Sequence, residues 1–109
     1  MKFVVISKPK HQIPPDMIIP LLDAFSAYVT QYTESGHIQD SWSFAGTPAG
    51  GAVINADSLE ELDAIMAEFP FGPFSETEVH PAVDLQESLQ RGRQIAQARM
   101  EAMAQMGAG

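Results

Sequence analysis

The stretch HIQDSWSFAGTPAGGAVIN (His37–Asn55) decides the fold. Across its first eight residues Ile38, Trp42 and Phe44 fall on one side of an extended chain. His37, Gln39, Ser41 and Ser43 fall on the other, and Asp40 stands among the apolar residues. AGTPAGG (Ala45–Gly51) carries the glycines and proline of a turn, and AVIN (Ala52–Asn55) reads as a second strand. Strand, turn and strand make a hairpin, so what lies on either side of it sets the class.

Upstream, Leu21, Leu22, Phe25, Tyr28, Val29 and Tyr32 recur at helical spacing between Met17 and Ser35. Asp16 is the expected N-cap, Pro20 falls in the tolerant first turn, and Gly36 is the expected left-handed cap. Before that helix, KPKHQIPP (Lys8–Pro15) reads as a loop and KFVVIS (Lys2–Ser7) as a first strand. Downstream, Asp57 and Glu60 have capping-box spacing and open a helix expected to bury Leu59, Leu62, Ile65 and Met66 before Pro70. FSETEVH (Phe74–His80) is the fourth strand. Asp84 and Glu87 repeat the capping spacing and open a C-terminal helix reaching about Met103, with Gln105–Gly109 expected to fray.

The order β-α-β-β-α-β followed by a helix predicts a ferredoxin-like α+β sandwich over residues 1–82. Residues 83–109 form a helical extension, expected to dock on the core or on a neighbouring subunit. Its stripe of Leu85, Leu89, Ile95 or Ala96, Met100 and Met103 needs cover, and so does the helix-free face of a four-stranded sheet. A homo-oligomer, a dimer or larger, is the expectation.

A chain of 109 residues fits one domain. With 14 acidic residues against 6 basic ones the net charge is −8, and the few cations are scattered. This argues against nucleic acid and against anionic membranes as partners, because both need a basic face. No apolar run is long enough to span a bilayer, and MKFVVISKPK (Met1–Lys10) is a poor match to a secretory leader. The absence of cysteine removes disulfides, thiolate ligands and a thiol nucleophile, and fits a cytoplasmic protein. His11, His37 and His80 lack the short spacing of metal ligands, so no metal site is expected.

GHIQDSWSFAG (Gly36–Gly46), the helix DSLEELDAIMAEFP (Asp57–Pro70) and FGPFSETEV (Phe71–Val79) resemble the muconolactone isomerase family, as does PPDM (Pro14–Met17) at the entry to the first helix. The likeness covers residues 1–82. It implies a dimeric α+β barrel and a cofactor-free enzyme that moves a proton on an unsaturated lactone. Cyclases of natural-product pathways share the pattern. Where such isomerases are expected to carry basic residues around the tryptophan, this chain has Gln39, Asp40 and Ser43. A neutral or differently charged unsaturated carbonyl compound suits it better than muconolactone itself.

Proton transfer next to a carbonyl needs a base, a means of stabilising an enolate, and dry walls. Phe74, Glu76, Glu78 and His80 alternate along the fourth strand, which places two carboxylates and an imidazole on one face. Glu76, Glu78 and His80 are candidate proton carriers. Charges that merely protect a sheet edge would look the same. Asp40 is a fourth candidate base, unless a bulge turns it outward. Trp42, Phe44 and Phe74 are candidate walls, and His11 and Lys8 in the proline-rich loop are candidate substrate contacts. The competing reading is a non-catalytic, oligomeric small-molecule-binding or accessory protein of a biosynthetic pathway. A cofactor-free monooxygenase is a third, carried by fold analogy alone.

Overall fold

The computed structural model describes residues 1–108 of the chain. In order the elements are β1 (Lys2–Pro9), α1 (Pro15–Glu34), β2 (Ile38–Ser43), β3 (Gly50–Asn55), α2 (Leu59–Ala67), a single 3-10 turn (Gly72–Phe74), β4 (Ser75–Ala82) and α3 (Leu85–Ala108). The strands form one antiparallel sheet in the order β2-β3-β1-β4, with β4 at an edge. This is the ferredoxin-like α+β arrangement expected from the sequence, with α3 added.

The core lies between the sheet and the two inner helices. Phe3 and Val5 of β1, Ile38 of β2, Ile54 of β3, Tyr28 of α1, and Leu62 and Ile65 of α2 are all buried in one cluster. Phe25 of α1 meets Phe69 and Phe71 edge-on at 5.7 and 5.6 Å between ring centres. The Phe-Pro-x-x-Pro-Phe turn thus seats two aromatic rings against α1, which is a packing role. The Tyr28 hydroxyl donates to the Ile65 carbonyl at 2.9 Å and ties α1 to α2. Burial, with the nearby Tyr32 and Glu68 adding to it, pushes the Tyr28 phenol up to about 12.

Several boundaries differ from expectation, each for a local reason. Pro14, not Asp16, is the N-cap of α1, and Asp16 lies inside the first turn, where its charge favours the helix dipole. Gly36 does take the left-handed conformation, with φ of 84°. Ser58, not Asp57, caps α2, its hydroxyl accepting from the Glu61 amide at 3.1 Å. Leu59 is the first residue of the helix and is 62% exposed instead of buried. Lys8 and Pro9 extend β1, while Phe74 closes the 3-10 turn instead of opening β4.

The largest correction concerns β2. Pairing with β3 passes from Ile38↔Ile54 to Asp40↔Val53, so one extra residue is inserted at Gln39. A bulge of this kind flips the alternation beyond it. Ile38 stays on the core side. Asp40 and Trp42 turn to the helix-free side, so Trp42 does not share the face of Ile38.

Asp84 caps α3 as its spacing predicts, its carboxylate accepting from the Glu87 amide at 3.1 Å. The helix runs on through Gln105 to Ala108 instead of ending near Met103; Gly109 lies outside the described residues. Every side chain described along α3 is exposed, and the molecule measures 75 × 28 × 24 Å. No helix is long and apolar enough to cross a membrane among the described residues.

Candidate functional site on the open sheet face

The strand register sorts side chains into rows running across the sheet. One row on the open face reads Asp40, Val53, Val4, His80, and the next reads Trp42, Gly51, Ile6, Glu78. Beyond them Lys8 pairs with Glu76. Strand alternation places all of these opposite the Phe3–Val5 core face. Six of the nine sequence-derived candidates, namely Lys8, Asp40, Trp42, Glu76, Glu78 and His80, therefore share one surface.

Glu78 is the centre of a small charged cluster. One of its carboxylate oxygens lies 3.7 Å from the Lys8 ammonium, and the other lies 3.3 Å from Nε2 of His80. A carboxylate held between an ammonium and an imidazole can give and take a proton, with a cation nearby to steady developing negative charge. Asp40 sits at the far edge of the sheet, its Oδ1 accepting from the Ser41 amide at 2.9 Å. Glu76 is exposed and faces the Lys8 position in register.

The remaining three candidates lie at the margins. Phe44 is just past the end of β2 and 40% exposed. The Phe74 carbonyl accepts from the amides of Lys10 and His11 at 2.8 and 3.0 Å, which pins the start of the proline-rich loop beside β4. His11 is exposed there, and its ring joins none of the hydrogen bonds formed among the described residues.

Sequence reasoning missed the apolar floor of this face. Val4, Ile6 and Val53 are only half-buried and lie beneath the charged cluster. The available signal was the run FVVI (Phe3–Ile6), which is apolar on both faces, as in strands covered on both sides. Gly51 was missed as well. A Cβ placed on it would fall 2.7 Å from Cζ2 of Trp42, so the indole lies across a gap that only glycine leaves.

His37 has a separate place. Its Nδ1 is 2.7 Å from the Ser35 hydroxyl and its Nε2 is 2.7 Å from Glu61. The imidazole joins the end of α1, the start of β2 and the first turn of α2, which is a structural clasp far from the open face. The Tyr32 hydroxyl bonds Glu68, and that bond raises its pKa above the usual tyrosine value.

A groove of about 480 Å³ runs on the opposite face between α2 and β4, lined by Met66, Phe69, Pro73, Thr77 and Val79 among others and by no charged side chain.

A family profile described as muconolactone delta-isomerase matches residues 1–88. Among solved structures, the chain is similar to muconolactone isomerase, with a TM-score of 0.71 and 22% identity over 77% of this chain and 90% of that one. It is also similar to 5-chloro-2-hydroxyhydroquinone dehydrochlorinase of Burkholderia phenoliruptrix in complex with 2,5-dihydroxybenzoquinone. That TM-score is 0.56, with 16% identity over 80% of this chain and 98% of that one. At such identities the likeness is one of fold. No curated protein matches the sequence.

Proposed function

This chain belongs to the muconolactone delta-isomerase family, and on that premise we propose that it is an isomerase or cyclase that moves a proton on a small unsaturated lactone or carbonyl compound. The observation that carries the reading is the Lys8–Glu78–His80 cluster standing over the half-buried floor of Val4, Ile6 and Val53. Charged side chains able to transfer protons and an apolar surface able to hold a carbon skeleton occupy the same face.

In this scheme a second copy packs its open face against the first and closes a chamber between the sheets. Excluding water makes a carboxylate a stronger base and strengthens every charge interaction inside. Glu78 removes a proton from a carbon next to the carbonyl or one double bond further out. The Lys8 ammonium stabilises the resulting enolate oxygen. Glu78 returns the proton to a different carbon, directly or by passing it to His80 at 3.3 Å for delivery, which shifts the double bond and restores both groups. Trp42 supplies a flat wall. Asp40, Glu76 and Glu78 make the face more acidic than basic, which favours a substrate without a carboxylate.

Proton NMR in D2O with a panel of unsaturated lactones and enones, muconolactone included, tests this. Deuterium appearing at an α or γ carbon supports the proposal. Clear binding with no exchange for any member overturns it in favour of a carrier or accessory protein. That second reading draws on the exposure of Glu76 and on the acidic balance of the face.

A further inference from the structure

The helix α3 presents Leu85, Leu89, Ile95, Met100, Met103 and Met106, each more than half exposed, along one side. A helix with Gly92 in its first half draws most of its stability from packing its apolar face against a partner surface. Its own body does not supply that cover. Only Val83 and Asp84 separate β4 from α3, and Asp84 is engaged in capping, so the helix is directed away from the sheet. A short, committed connection of this kind favours packing on another copy over folding back.

Charge points to where on that copy. All three arginines of the chain, Arg91, Arg93 and Arg99, lie on α3 with only Glu87 and Glu101 to balance them. The preceding residues hold Lys2, Lys8 and Lys10 against twelve carboxylates. Two α3 helices facing each other would bring arginines together, whereas an α3 on the acidic body gains from the opposite sign. The body offers a matching surface in the groove between α2 and β4. Met66, Phe69, Pro73 and Val79 line it, no charged side chain does, and Val79 is 41% exposed.

We propose that α3 of one copy docks in the α2–β4 groove of a second copy, its methionine and leucine stripe against Met66, Phe69 and Val79 and its arginines toward the acidic body. This contact uses the face opposite the proposed catalytic one, so the two can fail separately. Methionines suit an interface of irregular shape, because their side chains adapt to gaps.

The chain contains no cysteine, which makes the test direct. Full-length Val79→Cys is mixed under oxidised glutathione with full-length Leu89→Cys, Ile95→Cys or Met100→Cys, each prepared separately. The expected result is a disulfide between unlike chains for at least one α3 position, lost at high salt. Links only between like α3 variants would assign α3 to a helix pair and overturn the proposal. No link at any position would overturn it as well. Independently, Leu89→Asp combined with Met103→Asp is expected to lower the sedimenting mass of the largest species. An unchanged mass would remove α3 from the assembly. Deuterium exchange on the lactone panel reports on the open face and is scored apart from either result.

Discussion

The indole of Trp42 lies across Gly51, the residue paired with it on β3, at a distance where a single added carbon would collide with the ring. The glycine makes the tryptophan's position possible and so fixes the texture of the open face. Replacing Gly51 with Ala is expected to lower stability by about 1–3 kcal/mol through overpacking. It should also displace the ring. Tryptophan fluorescence, read with a urea midpoint, checks both, and the chain has one Trp to report.

Glu78 is held by two exposed contacts, and such pairs contribute about 0–1 kcal/mol. Glu78→Gln should therefore leave the melting temperature nearly unchanged while abolishing deuterium exchange. His80→Ala should behave in the same way with a smaller loss of exchange. A large drop in stability with turnover intact would make the cluster an edge-protecting feature.

His37→Ala has the opposite expectation. It breaks the links to Ser35 and Glu61, and a cost of about 1 kcal/mol follows from two part-exposed hydrogen bonds. Exchange activity should be unaffected once the protein is folded. The measurement is a denaturation midpoint beside the NMR assay.

The cap of α2 gives a sharp comparison. Ser58→Ala should cost about 1 kcal/mol, and Asp57→Ala should cost little, because the hydroxyl of Ser58 accepts the Glu61 amide. A larger loss for Asp57→Ala than for Ser58→Ala would move the cap back to Asp57.

Tyr28 makes stability fall in alkali. Its phenol titrates near 10.0 when unfolded and at about 12 in the fold, because burial disfavours the phenolate. The raised value contributes stability that is complete below the unfolded pKa. Between the two values the unfolded state loses the proton and the folded state keeps it, so stability drops by up to about 1.4 kcal/mol per pH unit. Tyr28→Phe should flatten that slope. Urea midpoints collected through this range settle the matter.

Element order was readable because each helix carries its period and each turn its glycine or proline. The alternation of Glu76, Glu78 and His80 was equally plain, and β4 places them together as the two-residue repeat requires. In β2 the sequence left two readings open, Asp40 toward the core side or turned outward by a bulge, and the structure has the bulge. A six-residue strand offers three positions to each face, too few to choose between the two, and Asp40 among the apolar residues was the one sign of the break. The His37 clasp was hidden for a different reason. Its partner Glu61 is remote in sequence, and nothing local marks the pair.

The insertion at Gln39 acts as a parity switch. Because the bulge absorbs one residue, Ile38 and Trp42, four apart in the chain, point to opposite faces of the sheet. Deleting Gln39 would remove the bulge and keep Asp40 opposite Val53 and Trp42 opposite Gly51, so both would stay on the open face. The reactive surface is thus indifferent to the loss of this one residue, whereas pairing the full-length strand without the bulge would turn the indole and the carboxylate toward the core.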